Sequence, residues 1–456
     1  MTTTSASSQS AVRTLLRRVA RPTFSAVMTV VSLVLLLALS MTSALGAMVA
    51  IGVALFLLGL ICLGLERTAE ALVILGVFLM PMTRFHNSGA LSFVTAADAA
   101  LALGFVLMFP DLIRRPLWLP APFAIGAIGV FFTAVISSLL SEDPLISLNA
   151  TTRLVVGSFG LTVLVAWWSP GLKKVVVIAW AYVLGNVANG FYASIEGAQV
   201  NGRRSGLAEH PNFAGMCALL AILLIPFLVT QTPRQRRWIP IAAGMVCFWA
   251  LWASGSRAAL AALIVVAVVY PLLSRSVLAG LGLLSVFAVG VVFFQQLVNA
   301  VGAESALGRL LGKGTTSSSD ESREQIARAT FEQFMSDPIL GVGLVHPLQA
   351  HIIYLQVMAG LGMVGLLAFL LAGSIMMRPL VMLKPPYSLL ALPVLAYALA
   401  GLVSNLLWDR YIWITLALAV LAPRLAADEP QKISFERPRP PLRALERQGD
   451  WRMRED

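Results

Sequence analysis

From Phe24 to Arg424 long apolar runs alternate with short polar joints. The runs fall at residues 24–44, 47–65, 69–82, 91–109, 119–140, 153–168, 174–195, 213–230, 238–254, 257–273, 276–297, 351–376, 387–405 and 411–425. A helix needs roughly 17–25 apolar residues to cross a hydrocarbon core, and most of the runs have them. The third run is short enough to be half-inserted and the first two could close as one tight hairpin, so 12–14 spans are expected. The pattern predicts an all-α polytopic membrane protein. A membrane β-barrel is excluded, because its strands would alternate apolar and polar residues. Composition agrees: 58% of the chain is hydrophobic and 12% charged, against about 25% charged in soluble domains.

Charge then orients the spans. With the amino terminus inside, Arg67, Arg114/Arg115, Lys173/Lys174, Arg234/Arg236/Arg237, Arg275, Arg378/Lys384 and Arg424 all fall on the cytoplasmic side, as the positive-inside rule requires. Residues 1–23 read as a basic cytoplasmic segment, 24–425 as the transmembrane domain and 426–456 as a disordered cytoplasmic tail. The segments 83–90, 141–152, 196–212 and 298–350 fall outside, the last as one large loop. The net charge of +11 follows from this orientation, so it does not indicate a nucleic-acid partner. Cys62, Cys217 and Cys247 lie in apolar runs and make no disulfide framework.

Eight cations remain on the outer side: Arg203, Arg204, Arg257, Arg309, Lys313, Arg323, Arg328 and Arg410. Long loops translocate regardless of charge, which accounts for Arg309 to Arg328. The loops of Arg203, Arg204 and Arg257 are too short for that account. Two guanidinium groups beside the helix start at Pro211, in Arg203-Arg204…Glu209-His210-Pro211-Asn212, suit a diphosphate, although an interfacial turn would carry the same residues. Ser254-Gly255-Ser256-Arg257 places a cation at the edge of the hydrocarbon, where it faces a cavity or snorkels to headgroups. Asp337-Pro338-Ile339-Leu340-Gly341-Val342-Gly343 turns sharply before the span that His351 opens, and a histidine there can exchange a proton near neutral pH. In the large loop a helix is expected from Ser322, capped through Gln325. It should carry Ile326, Thr330, Phe331, Phe334 and Met335 on its apolar side, stop at Asp337-Pro338 and lie over the cavity.

Three lookalikes carry nothing. Gly360-Leu-Gly362-Met-Val-Gly365 lies within an apolar run without a preceding strand, and small-residue helix packing explains it better than a nucleotide. Gly312-Lys313-Gly314-Thr315 lacks phosphate-loop spacing. His86, His210, His346 and His351 show no metal-ligand spacing, so no metal site is expected.

In order, these motifs resemble the O-antigen ligase and O-antigen polymerase family over about residues 200–370. The resemblance rests on Arg204-Ser-Gly206 to His210-Pro211-Asn212-x-x-Gly215, on Ser254-x-Ser256-Arg257, on a loop helix with Arg323, and on Asp337-Pro-x-x-Gly-x-Gly343 followed by His351 and Tyr354-Leu-Gln356. Where the family has His-Asn, Ile352 follows His351 here. The resemblance implies a membrane glycosyltransferase C-type fold in the inner (plasma) membrane. It implies glycan transfer at the outer face from a polyprenyl-diphosphate carrier to a hydroxyl of an acceptor glycan or glycolipid, with no metal, nucleotide or other cofactor. Arg203, Arg204, His210, Asn212, Arg257 and Arg323 would then hold the diphosphate and substrate. His351 is the first choice of base and Glu209 the second, and a single displacement would invert the anomeric centre. The competing reading is a transporter or flippase for a lipid-linked sugar or anionic solute. Charges gathered at one face, with no matching pair of broken helices, favour the enzyme.

Overall fold

A computed structural model describes residues 44–84, 94–197, 202–274, 277–293, 296, 299, 302–312, 317–344 and 350–428. Among them the chain is helical, with no strand. In order the helices are α1 (Ala44–Leu63), α2 (Leu65–Leu79), α3 (Ala96–Leu112), α4 (Ala121–Leu140), α5 (Pro144–Trp168), α6 (Leu172–Glu196), α7 (Pro211–Gln231) and α8 (Trp238–Ser254). They continue as α9 (Arg257–Ser274), α10 (Val277–Val292), α11 (Ala306–Leu310), α12 (Ser317–Ser336), α13 (Ile353–Met382), α14 (Leu392–Ala400) and α15 (Arg410–Ala427). Six of the described helices, α4, α5, α6, α7, α13 and α15, are long and apolar enough to cross a membrane. The chain is an all-α polytopic membrane protein. The apolar run 24–44 lies outside the described residues but for its last position. So do His86 and His346 and, from residue 429 on, the carboxy-terminal tail.

Glycines set the helix packing, as they do where lipid supplies no hydrophobic drive between helices. A Cβ on Gly126 would lie 2.7 Å from the Ala368 carbonyl oxygen, and one on Gly129 2.8 Å from the Ala368 methyl, so α4 and α13 meet backbone to backbone. Gly76 and Gly104 do the same for α2 and α3, with Leu101 and the Ala69 carbonyl as neighbours. The two innermost helices, α7 and α15, are enclosed almost all round, and their apolar residues fill the core.

Polar contacts divide the bundle into two ends. One end holds the Glu70–Lys174 ion pair, Arg115 at 3.8 Å from Glu66, and the Trp167 indole donating to the Arg115 carbonyl at 3.1 Å. These are the cations expected inside. The other end holds Arg84 paired with Glu196 at 2.7 Å, Arg410 with Asp98 at 3.0 Å, and the motif residues.

Two expected boundaries need correction. Residues 144–152 are helical rather than part of an outer joint. Pro144 presets the first turn. The hydroxyls that dilute the hydropathy bond each other: Ser147 Oγ donates to Ser138 Oγ, itself paired with Thr151 Oγ1, both at 2.8 Å. The loop helix begins at Ser317 rather than Ser322. Its inward stripe is Arg323, Ile326, Thr330 and Phe334, whereas Phe331 and Met335 are exposed. The helix does end at Ser336, before Pro338.

Candidate active site

The loop before α7 is built around Arg203. Gly202 and Gly206 take positive φ of 75° and 60°, which lets the chain double back. Arg203 is buried, at 7% exposure; its Nε donates to the Ser254 carbonyl at 2.8 Å and its Nη2 to Asn212 Oδ1 at 2.5 Å. Burial, with Arg309 adding, lowers its pKa to about 10, so it keeps its charge at neutral pH. Adjacent residues on an extended segment point to opposite sides, and Arg204 accordingly turns away. Its Nη1 donates to the Ala193 and Ser194 carbonyls at 3.3 and 3.4 Å, and its guanidinium lies 5.9 Å from the centre of the Trp249 ring.

The first two motifs interlock. A Cβ on Gly215 would lie 2.6 Å from both Ser254 Oγ and Ser256 Cβ, so the glycine of His-Pro-Asn-x-x-Gly seats the Ser-x-Ser turn. Gly255 has φ 64° with the Glu304 carbonyl 2.5 Å from its would-be Cβ, and its own carbonyl accepts from Arg309 Nη1 at 2.9 Å. Arg309 is buried on the short capped helix α11, with Glu304 Oε2 4.0 Å from its Nε. The turn thus brings Arg203, Arg257 and Arg309 together, and α12 adds Arg323.

A cavity of about 330 Å³ is lined by Asn212, Ser256, Arg257, Arg309, Arg323 and Ser404 among others; Arg203 is outside its lining but bonds Asn212. Arg309, Arg323 and Arg257 each lower the proton affinity of Arg203 through their charge. Arg328 is outside the group, exposed and paired with Glu324.

His210 caps α7: its Nδ1 accepts from the Asn212 amide at 3.1 Å, leaving Nε2 to carry the proton of the neutral ring. Burial, then Arg203 and Arg309, lower its pKa. His351 is half-buried just before α13, and burial followed by the charge of Arg323 lowers its pKa as well. It is therefore a neutral imidazole at pH 7, able to accept a proton. Glu209 is exposed, with its backbone amide donating to Thr83 Oγ1 at 2.8 Å.

The third motif reaches the site through broken helix geometry. Gly362 interrupts α13 at φ 66°, and Gly341 and Gly343 have φ of 76° and 90°. The freed backbone groups pair across the break: Val342 N to Ala359 O and Gly343 N to Gly360 O, both at 3.0 Å, and Met363 N to Pro338 O at 2.9 Å. The Gly360-Leu-Gly362 triplet therefore docks the 338–343 turn, which is a different role from the helix–helix packing expected of it. The docked turn ties the end of α12, which carries Arg323, to the middle of α13.

Arg309 joins the site although the sequence did not single it out as functional, and Asp409, outside the cavity lining, is a perturbed acid that the sequence also passed over. Arg309 had a sufficient account as a loop cation; the short Ser305-capped helix that aims it at Gly255 leaves little trace in a pattern of residues. Asp409 precedes α15 with its Oδ2 sealed from water. Burial raises its pKa to about 7; Tyr411 and Arg410 oppose the rise and Glu209 adds to it. The acid in Trp408-Asp409-Arg410, next to an outer cation, was the available signal.

Residues 242–370 match the family model described as O-antigen ligase. That stretch contains Arg257, Arg309, Arg323, the Asp337–Gly343 turn and His351. The match, over less than a third of this polytopic membrane protein, supports assignment to the O-antigen ligase and polymerase family and O-antigen ligase-like glycan transfer in envelope polysaccharide assembly. No curated protein matches the chain.

Proposed function

We propose that the chain transfers a glycan from a polyprenyl diphosphate to an acceptor hydroxyl at the outer face of the inner membrane, without metal and with inversion. The observation that carries the reading is the cavity lined by Arg257, Arg309 and Arg323, with Arg203 bonded to its Asn212, at the end of the bundle away from the Glu70–Lys174 pair. As the sugar–oxygen bond breaks, negative charge grows on the leaving diphosphate. Guanidinium groups already fixed by Ser254, Asn212 and Gly255 stabilise that charge without reorganising. His210, with Nε2–H available, can donate to a phosphate or sugar oxygen. His351, neutral beside Arg323, takes the proton of the attacking hydroxyl, and Glu209 is the second candidate. Asp409, poised near neutrality, is a third. A direct displacement needs attack on the face opposite the leaving group, so one transfer inverts the anomeric carbon. Arg204 contributes by pinning the loop to α6 and Trp249. A flippase would need a charged path continuing toward the midplane, whereas these arginines gather at one end.

Titrating polyprenyl diphosphate into the purified protein tests the site. Wild type should bind it, and Arg257→Ala and Arg323→Ala should each weaken binding by about tenfold or more, the worth of one charge-assisted contact. Wild-type affinity in both variants would move the diphosphate elsewhere.

A further inference from the structure

The outer face of α12 changes character along its length. Glu324, Arg328, Phe331 and Met335 recur at i, i+4, i+7 and i+11 and so share one face of the helix. All four are exposed, and Ile339, four residues beyond Met335, is 65% exposed. The first half of the stripe is an ion pair, Arg328 with Glu324, and the second half is apolar. A face bathed in water along its whole length would stay polar throughout.

Where the stripe ends identifies what it meets. The Met363 amide donates to the Pro338 carbonyl at 2.9 Å and the Val364 amide to the Ile339 carbonyl at 3.5 Å. Met363, Val364 and Leu367 are themselves exposed on α13, a helix long and apolar enough to span the membrane. The α12 stripe therefore runs into the surface that α13 turns to lipid. Counting back about 20 residues, the thickness of the hydrocarbon, from Arg378 at the inner end of α13 sets the outer edge near Met358. Met363 is then about 8 Å inside that edge at 1.5 Å per residue. α4 agrees, because Ser137, within a turn of its outer end, donates to the Gly360 carbonyl. Thr330 and Gln333 share a small cleft with Gln356 and Ala359, so α12 climbs antiparallel beside the first turns of α13. Met335, about 6 Å up the helix from Ile339, is still inside the edge, whereas Glu332, about 10 Å up, has left it.

The corner between the helices is built for such a depth. Irregular backbone at hydrocarbon level must be paired within the protein. The Leu340 amide donates to Asp337 Oδ1 at 3.2 Å and the Gly341 amide to the Asp337 carbonyl at 3.0 Å, while those of Val342 and Gly343 bond the broken part of α13.

From this geometry we propose that the carboxy-terminal part of α12 dips into the outer leaflet, with Phe331 at its edge and Met335 and Ile339 against lipid acyl chains. Another face of the same helix presents Arg323 to the arginine cavity, so the leaflet holds from one side a helix that lines the site on the other.

The test uses full-length protein in phospholipid vesicles, spin-labelled at one introduced cysteine at a time in a Cys62→Ser background; Cys217 and Cys247 are buried. Each label is read by its collision rates with oxygen, which concentrates in hydrocarbon, and with a water-soluble nickel chelate. The oxygen-to-nickel ratio at Met335→Cys and Ile339→Cys should exceed that at Glu324→Cys severalfold and approach that at Leu367→Cys. A ratio at both positions equal to that of Glu324→Cys would place the stripe in water and overturn the proposal. Low rates with both reagents would overturn it as well, because a protein partner would then cover the stripe. Wild-type protein gives a second reading that needs no substitution. A phospholipid with a photoactivatable diazirine in its acyl chain should label residues 331–339 as well as Leu367, and label on Leu367 alone would contradict the dip. Neither reading depends on glycan transfer.

Discussion

Arg257 gives the sharpest separation of function from folding. It occupies the first position of α9 and lines the arginine cavity beside Asn212, Arg309 and Arg323. A cation there opposes the helix dipole, at about 0.3–1 kcal/mol, and it is repelled by Arg203, whose own proton affinity it depresses. Removing it relieves both terms, against the loss of a contact worth about 1 kcal/mol. Arg257→Ala should therefore melt within a few degrees of wild type. Transfer should behave otherwise. A fixed donor aimed at charge that develops in the transition state contributes about 2.7–4 kcal/mol, so kcat should fall by about a hundred- to a thousandfold. Arg257→Lys keeps the charge but loses the planar fork and should fall between the two. The assay is single-turnover transfer from a labelled lipid diphosphate, alongside thermal unfolding in the same detergent. Parallel loss of stability and activity would reduce Arg257 to a structural residue, and unchanged kcat would refute the electrostatic argument.

Other outcomes follow from the same geometry. With His351 as base, the rate should hold at neutral pH and fall only on acidification below 6.5, the ordinary histidine value, because its lowered pKa keeps the ring neutral to lower pH. A limb near 7 that disappears in Asp409→Asn would transfer the role to Asp409. Gly255→Ala places a methyl 2.5 Å from the Glu304 carbonyl at φ 64° and should cost stability by about 1–3 kcal/mol, read as a lowered melting temperature; a wild-type value would mean that the turn relaxes freely. Saturating chelator should leave the rate unchanged, and a rate restored by one divalent ion would contradict metal-free transfer. In a Cys62→Ser background, Ala303→Cys and Lys173→Cys should label from opposite sides of sealed vesicles, Ala303→Cys from outside; the reverse result would invert the topology.

The helices were legible because lipid demands long apolar runs, and the motif glycines because backbone crowding demands them. What escaped reading was set by tertiary partners. The start of α5 looked like loop because Ser147 and Thr151 lower its hydropathy, yet both pair with Ser138. Arg203 and Arg204 formed one basic pair in the sequence and separate in space, one toward Asn212 and one toward Trp249. Arg309 and Asp409 needed the fold, since each gains its meaning from residues about fifty or more positions away. His351 and Arg323 were singled out by spacing, and the docked glycine turn ties the helix that carries Arg323 to the one that His351 precedes.

The most direct test of glycan transfer is reconstitution. Wild-type protein in sealed vesicles would receive a polyprenyl diphosphate carrying a labelled glycan, together with a glycolipid acceptor. Transfer predicts that label appears on the acceptor with inverted anomeric configuration while free polyprenyl diphosphate accumulates, and that Arg257→Ala yields neither. Label that crosses the bilayer still attached to its original carrier, with no new glycosidic bond, would contradict the account and make the arginine cavity the mouth of a transporter.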